Sequence, residues 1–168
     1  SFLKTSSEIA AVTAAVSTLG GVHTVAQEKA ARLGIGIIGC GGIMTHHVQG
    51  LVGRKEAVEI AWLCDVDPAQ IERMSKHISD GFQAAVPKRT PNYEDVINDK
   101  NVDAVIIATP HHWHAPIAIM AMQAGKDCYI EKPISHVYNE GHAIIKASKK
   151  YSRVVQQGSQ MRNSPVTL

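Results

Sequence analysis

The sequence has few cysteines, few aromatic residues and no excess of charge of either sign. Its three cysteines, Cys40, Cys64 and Cys128, contain no C-x-x-C pair. Because all three lie in or beside predicted strands, we expect small buried residues there, and neither a disulfide framework nor a metal site. The 17 basic and 15 acidic residues are interspersed, so the charge pattern predicts no nucleic-acid partner and no anionic membrane surface.

The sequence also lacks a run that is long and apolar enough to predict a membrane span. Residues 9–25 carry no charge and are rich in alanine and valine, but the run is short and only weakly apolar. Residues 24–26 suit a signal peptidase, and residues 1–4 are similar to the end of a twin-arginine export motif whose arginine pair would precede residue 1. We therefore expect residues 1–31 to be an export signal-like segment of a periplasmic protein with no membrane contact in its mature form. A loose amphipathic helix on a cytoplasmic protein is the alternative.

The rest of the sequence alternates between short apolar runs and amphipathic stretches. The apolar runs predict strands at 35–38, 58–65, 102–108, 126–130 and 153–157, and helical spacing predicts helices at 44–52, 68–79, 93–99, 115–124 and 139–150. Residues 80–92 are predicted to be a loop that contains at most a short strand. This alternation predicts an α/β fold, a doubly wound parallel sheet covered on both faces, over residues 32–158.

The stretch around Gly39 carries the clearest functional signal. A strand rich in isoleucine is followed by Gly39-Cys40-Gly41-Gly42, and then by apolar residues at helical spacing. Strand, glycine turn and helix form a cradle for a diphosphate, because glycine lets the backbone approach it and the helix start presents N–H groups. The usual third small residue is replaced by Met44, and an ordinary strand-to-helix turn is the alternative. The cofactor-binding candidates here are Gly39, Gly41, Gly42, Ile43 and Met44.

A carboxylate ends the second predicted strand. Asp65 lies 26 residues after Gly39, close to where a dinucleotide fold places the acid that hydrogen-bonds the adenosine ribose hydroxyls. A carboxylate there repels a 2′-phosphate, so NAD is the predicted cofactor in preference to NADP. In the alternative, Asp67 caps the next helix and Asp65 is an acid of an ordinary turn.

Several histidines follow the predicted strand 102–108. Thr109 and Pro110 end this strand, and His111, His112 and His114 lead into the next helix. His111 and His114 have i, i+3 spacing, yet no acid or cysteine completes a set of zinc ligands. We therefore predict a loop that packs on the cofactor, with His114 near the helix start, and no metal.

Glu131, Lys132 and Pro133 follow the predicted strand 126–130. A Glu-Lys pair at a strand end is often a surface ion pair of little energetic value. If the pair instead points into a cleft beside a nicotinamide, Lys132 is a positively charged donor next to the reacting carbinol. It would then stabilise a developing alkoxide or relay its proton.

Together these motifs resemble the Gfo/Idh/MocA family of oxidoreductases, typified by glucose-fructose oxidoreductase and inositol dehydrogenase. The resemblance extends over residues 32–165. It rests on the glycine turn, residues 64–67, Thr109-Pro110 with His114, and above all Glu131-Lys132-Pro133. It implies a Rossmann fold in which Lys132 is the catalytic residue that contacts both substrate and nicotinamide. It also implies that Thr109, Pro110 and Glu131 line the cofactor.

Members of this family continue into a second domain, an open mixed sheet that supplies the substrate pocket and the usual dimer surface. We expect that domain to be absent from this chain, residues 159–168 to begin a truncated connection to it, and the fragment alone to be inactive. The resemblance implies hydride transfer between NAD(P) and a sugar, cyclitol or related polyol, by a homo-oligomer when full length. The alternatives are an NAD-dependent glycosidase of the same family and a catalytically inactive NAD-binding fragment.

Overall fold

Strands and helices alternate along the described chain. The computed structural model describes residues 32–82 and 86–159. The strands are β1 (Leu33–Ile38), β2 (Val58–Cys64), β3 (Lys88–Thr90), β4 (Ala104–Ile107), β5 (Asp127–Ile130) and β6 (Val155–Gln157). The helices are α1 (Gly42–Val52), α2 (Pro68–Phe82), α3 (Tyr93–Asn98), α4 (His114–Gln123), which a 3₁₀ turn at His111–Trp113 precedes, and α5 (Tyr138–Tyr151). The predicted export segment 1–31 and residues 160–168 of the predicted connection lie outside the described residues.

The six strands form one sheet in the order β3-β2-β1-β4-β5-β6. Every adjacent pair is parallel, so the predicted doubly wound parallel sheet is confirmed. The short strand within the predicted loop 80–92 is β3, at one edge of the sheet. The strand order reverses between β1 and β4, and such a reversal opens a crevice beyond the carboxyl ends of the two strands.

Hydrophobic residues cover both faces of the sheet. Ile37 packs with α1 and α2 on one face, whereas its neighbour Ile38 packs with α3, α4 and α5 on the other. Ile106 and Ile107 of β4 divide between the two faces in the same way. Successive side chains of a strand point to opposite faces, so only a continuous apolar run can fill both cores. The two isoleucine runs therefore form the central strands.

The helices follow their apolar stripes. On α2 the buried residues Ile71, Met74, Ile78 and Phe82 recur at intervals of three or four, and Phe82 carries this stripe beyond the predicted helix end at residue 79. On α5, Lys149 and Lys150 occupy the last turn, where cations interact favourably with the helix dipole. Within residues 32–82 and 86–159, no helix is both long enough and apolar enough to cross a membrane.

Two neighbouring isoleucines of α5 test the division between core and surface. Ile144 is 2% exposed, whereas Ile145 is 54% exposed. We expect Ile144→Ala to lower the free energy of unfolding by about 2–5 kcal/mol, because it leaves a cavity in the core. The matched change Ile145→Ala should stay within about 0.5 kcal/mol of the parent chain. Urea denaturation measures both values, and equal losses would contradict the packing of α5 described above.

Candidate functional site

The turn after β1 lies directly against the end of β4. Gly39 has a φ of +92°, a conformation that side chains other than glycine rarely adopt. A Cβ added there would lie 2.6 Å from the Ala108 carbonyl oxygen and 2.8 Å from the Thr109 nitrogen. On the side of β2, the Gly39 N–H donates to the Cys64 carbonyl at 2.8 Å. Glycine is therefore required at this position both for the turn and for the close approach.

The next two glycines face open space at the start of α1. Gly41 is the N-cap of this helix and Gly42 is its first residue. Among the described residues, nothing lies within 4 Å of a Cβ added at either position. The N-terminal end of a helix presents unpaired N–H groups and a partial positive charge, which favour an anion. This part of the turn can therefore hold a diphosphate.

Met44, unlike Gly41 and Gly42, does not face the open space at the start of α1. Its side chain is 0% exposed and packs with Val48 in the core between α1 and the sheet. The departure from a small third residue is therefore accommodated by burial, and Met44 anchors α1 on the sheet instead of lining the crevice. Ile43, by contrast, is 36% exposed and lines a cavity described below.

The Asp65 carboxylate holds the glycine turn in place. Its Oδ2 accepts the Cys40 N–H at 2.7 Å, and its Oδ1 accepts the Asp67 N–H at 3.0 Å. From α2, the Arg73 guanidinium donates to the Cys40 carbonyl at 2.7 Å. Asp67 itself accepts the Ala69 N–H at 2.9 Å, as a residue that caps α2 does. Asp67 therefore caps the helix, and Asp65 lies against the turn.

The cysteines are buried, free thiols. Cys40, Cys64 and Cys128 are each 4% exposed or less. Burial, reinforced by the nearby charge of Asp65, raises the pKa of the Cys40 thiol to about 12. A thiol with such a pKa stays protonated at neutral pH and is a poor nucleophile. Cys40 therefore fills space beneath the turn and does not take part in its chemistry.

A cavity of about 520 Å³ opens beyond the carboxyl ends of β1, β2 and β4. Its polar wall contains Gly39, Gly41, Asp65, Asn92 and Thr109, and its apolar wall contains Val66, Pro91, Tyr93, Pro110, Trp113 and Ile117. Ligand sites in proteins are commonly such clefts, mostly apolar with a few polar groups that fix orientation. The cavity lies at the reversal of strand order, where open α/β sheets bind their ligands.

Thr109 has an unsatisfied hydroxyl. Its Oγ1 is buried and makes no hydrogen bond with any residue that the structure describes. A buried hydroxyl without a partner costs free energy, so such a group in a cavity wall indicates a place where a ligand supplies the missing hydrogen bond. The unsatisfied hydroxyl and the open glycine turn together fit a dinucleotide cofactor.

A second cavity, of about 290 Å³, shares Ala108, Thr109 and Pro110 with the first. Its other walls are Ile43, His111, His114, Glu131, Lys132 and Pro133. The structure therefore brings together at one place candidates that the sequence holds in three separate segments. They meet because β1, β4 and β5 are neighbours in a parallel sheet, so that the segments following them lie at the same edge.

His114 links two of these segments. Its ring is 1% exposed, with Nδ1 2.7 Å from the Pro133 carbonyl and Nε2 2.8 Å from the Thr109 carbonyl. Carbonyl oxygens only accept hydrogen bonds, so a ring nitrogen that carries a proton donates to the carbonyl that it faces. Because both nitrogens face carbonyls, His114 has none left for a metal. In the part of the chain that the structure describes, no group of three or more His, Cys, Asp or Glu side chains is placed to hold a metal ion.

Glu131 and Lys132 differ in their exposure to solvent. Glu131 is 4% exposed; its Oε1 lies 2.7 Å from His47 Nε2, and its Oε2 accepts the Lys132 backbone N–H at 3.0 Å. Lys132 is exposed at the cavity wall, and within the described residues its ammonium makes no ion pair. The pair is therefore not an ordinary surface ion pair: Glu131 is buried and hydrogen-bonded to other groups, and Lys132 is an exposed residue of the cavity wall.

Some residues of the site escaped sequence reasoning. His47, Arg73, Asn92, Tyr93 and Trp113 contact the site or line its walls. For His47 a signal existed, because it lies three residues after Met44 and so on the inward side of a helix. For Arg73 and the wall residues no local signal existed, since they reach the cavity only through the packing of α2, α3 and the 3₁₀ turn.

A comparison with known proteins identifies the family of the chain. The family model described as "Oxidoreductase family, NAD-binding Rossmann fold", GFO_IDH_MocA, matches residues 33–159. The chain belongs to the Gfo/Idh/MocA oxidoreductase family. The resemblance inferred from the motifs is thereby confirmed, and the described sheet is the family's NAD-binding domain.

Two relatives and one fold neighbour illustrate the membership. An alpha-N-acetylgalactosaminidase of Shewanella oneidensis is 33% identical over 119 residues, which make up 69% of this chain and 26% of that protein. The myo-inositol 2-dehydrogenase structure from Lactobacillus plantarum is 29% identical with a TM-score of 0.70, over 80% of this chain and 38% of that chain. The WlbA dehydrogenase of Chromobacterium violaceum, solved with NADH and UDP-GlcNAcA, shares the fold at 23% identity, with a TM-score of 0.73 over 81% of this chain and 37% of its own. The chain thus spans about a quarter of the curated relatives that it matches.

The close approach at Gly39 can be tested against Gly125, which has a φ of +81° but no neighbour within 4 Å of an added Cβ among the described residues. Gly125→Ala should cost about 1–2 kcal/mol of stability, from backbone conformation alone. Gly39→Ala should cost about 1–3 kcal/mol more, because the new methyl group displaces the end of β4. Urea denaturation measures the difference. Equal losses would mean that the turn does not depend on contact with β4.

Proposed function

We propose that this chain is the NAD-binding part of an oxidoreductase that transfers hydride between a nicotinamide and the alcohol carbon of a sugar, cyclitol or related polyol. The observation that carries the proposal is the pair of adjoining cavities beside the open glycine turn. Thr109, whose hydroxyl is unsatisfied, lines both cavities, and Lys132 lines the smaller one. A dinucleotide likewise has two halves joined by a diphosphate, which suits two adjoining cavities beside the start of a helix.

The cavity walls indicate which groups would hold the cofactor. Gly41 and Gly42 would receive the diphosphate at the start of α1, and the apolar wall containing Tyr93 would cover the adenine. Asp65 already accepts two backbone N–H groups. A carboxylate has about four acceptor positions, so Asp65 retains capacity for ribose hydroxyls. Thr109 would gain the hydrogen bond that its hydroxyl lacks.

The preference for NAD over NADP follows from charge. Asp65 lies half-buried in the wall of the larger cavity, and a carboxylate there favours hydroxyls and opposes a phosphate. Arg73, the cation in contact with the same turn, donates to the Cys40 carbonyl and to Gln70. These contacts commit Arg73 to holding the turn, so we infer that NADP gains little from it.

The chemistry of the proposed reaction needs a charged group at the substrate oxygen. Bound NAD supplies the carbon that accepts the hydride. Lys132 would act on the same alcohol: its ammonium would stabilise negative charge on the oxygen, and its neutral amine form would take up the hydroxyl proton. The 29% identical myo-inositol 2-dehydrogenase supports an alcohol carbon of a polyol as the reacting centre.

A second function is favoured by the curated relatives. Proteins named as glycosyl hydrolase family 109 members, and the alpha-N-acetylgalactosaminidase, are 30–33% identical to this chain over 119 residues. An NAD-dependent glycosidase would oxidise its substrate only transiently and return the cofactor to its starting state. Absorbance of NADH measured together with product separates the two functions. NADH that accumulates in proportion to product supports the dehydrogenase, whereas a released sugar without net NADH supports the glycosidase.

The third alternative is a fragment that binds NAD but has no activity. Titration of the 168-residue chain with NADH, followed by cofactor fluorescence, tests the binding that all three alternatives share. Saturable binding is the expected result, and a chain that binds neither NADH nor NAD⁺ would contradict the proposed function. Assays of substrate turnover then decide between the two reactions.

The cofactor preference can be tested at Asp65. We expect Asp65→Ser to lower the preference for NADH over NADPH by about tenfold or more, because like charges placed together cost several kcal/mol. Asp67→Ser is the matched control, since serine can also cap α2. Fluorescence titration gives the dissociation constants for both cofactors. The ratio of the two dissociation constants is the informative value, because loss of the hydrogen bond to Cys40 weakens the binding of NADH and of NADPH alike. An unchanged ratio would mean that another group discriminates between the cofactors.

The role of Lys132 can be tested by separating binding from turnover. In a longer form of the protein that turns over a polyol, we expect Lys132→Ala to lower kcat by about 10²–10⁴-fold, as for other general acid–base residues. The affinity of the 168-residue chain for NADH should change far less. Lys149→Ala, at an exposed position on α5, is the control and should leave both values unchanged. Full activity of the Lys132 variant would exclude a catalytic role for this residue.

A further inference from the structure

A histidine of α1 contacts the carboxylate that precedes Lys132. His47 Nε2 lies 2.7 Å from Glu131 Oε1, and the second oxygen of the same carboxylate accepts the Lys132 backbone N–H at 3.0 Å. The side chains of His47 and Glu131 are 18% and 5% exposed. A buried carboxylate is stable only when its oxygens are hydrogen-bonded. The contact with His47 therefore helps to fix the Glu131 side chain, and with it the backbone at Lys132.

Residues of β5 and of the chain after β6 lie close to the same carboxylate. The His47 ring packs edge-on against Tyr129 of β5, with ring centroids 5.1 Å apart and planes at 68°. Gly158, which follows β6, lets its chain approach closely, because a Cβ there would lie 3.0 Å from Glu131 Oε1 and 2.9 Å from the Tyr129 hydroxyl. Burial, together with the negative charge of Glu131, raises the pKa of Tyr129, so the phenol stays neutral beside the carboxylate. Glu131 is thus enclosed by α1, β5 and the end of β6.

The position of His47 on α1 links the Glu131 contact to the glycine turn. The same helix begins at Gly42, where the diphosphate would lie, and His47 is five residues further along the chain. An α-helix is a stiff element, so α1 connects the diphosphate end of the site to the segment that carries Lys132. His46, the adjacent histidine, is exposed and offers a natural comparison.

We propose that His47 is a positioning residue for Lys132: by holding the Glu131 carboxylate, it fixes the lysine at the mouth of the smaller cavity. The inference rests on the proposed function, since it assigns a purpose to the placement of Lys132. It adds a residue outside the glycine turn and outside the Glu-Lys-Pro segment. His47 acts through Glu131 and does not line either of the two cavities assigned to the cofactor.

The first test is amide hydrogen exchange in the 168-residue chain, followed by NMR. His47→Leu removes the ring nitrogen while keeping most of the volume. We expect it to speed exchange at the Lys132 amide by about tenfold or more, because the carboxylate that accepts this N–H loses its contact with His47. His47→Gln should restore the rate to within about threefold of the parent chain, since its amide N–H can donate to Glu131. His46→Leu is the matched control and should leave the rate unchanged.

Two results would overturn the positioning role. One is an unchanged Lys132 amide in His47→Leu. The other is equal acceleration at Lys132 and at Cys128 and Ile130 of β5, which would make His47 a general packing residue. If the leucine variant does not fold, His47→Asn replaces it, because the shorter amide group does not reach Glu131.

The second test measures the Lys132 ammonium itself. Trace acetylation by acetic anhydride, measured by peptide mass spectrometry, gives the reactivity of Lys132 relative to the exposed Lys100. In the parent chain, NADH should lower the relative reactivity of Lys132. In His47→Leu, NADH should bind within about threefold of the parent affinity, yet protect Lys132 less. Full protection in the variant would overturn the inference. A parent chain that fails to bind NADH would refute the proposed function alone, because the amide exchange test needs no cofactor.

Discussion

The Asp65 carboxylate and the absence of a side chain at Gly39 together fix the turn on which the site depends. Gly39 lets the turn pass directly over the end of β4, and Asp65 at the end of β2 accepts the Cys40 N–H from the side. The turn is thus held between the two strands that flank β1. A turn held in this way presents the open start of α1 at a constant position. A diphosphate site of this kind needs fixed N–H groups more than it needs side chains.

The second half of the site depends on a different kind of contact. His114 places its two ring nitrogens against carbonyls of the segments that follow β4 and β5, and Glu131 is held by His47 of α1. Buried polar side chains therefore join three segments that the sheet alone would only bring near one another. Each of these groups is hydrogen-bonded, which is the condition for burying polar atoms without loss of stability. Lys132, by contrast, is exposed and lines the smaller cavity.

The sequence indicated residues that line the cavities where the backbone itself forms the wall. Gly39, Gly41, Gly42 and the turn at Thr109 lie where the chain leaves a strand. Glycine and proline mark such turns directly in a sequence. The sequence was less informative about whether a side chain lines the cavity or is buried in the protein. Met44 has the spacing of a site residue but is fully buried, and Glu131 makes its contacts inside the protein. Helix packing decides both outcomes, and the partner of Glu131 lies 84 residues away in the chain.

By itself the sequence determined the parallel sheet, the crevice and the family, because hydrophobic periodicity and short motifs are local properties of the chain. Runs that must be apolar on both faces can only be central strands, and a strand, glycine turn and helix in succession can only meet at the carboxyl edge of such a sheet. Only the tertiary structure decided that His47 holds Glu131, that His114 bridges two carbonyls and that Arg73 reaches the glycine turn. Those contacts join residues distant in sequence, and a hydrogen bond requires a geometry that only the assembled core provides.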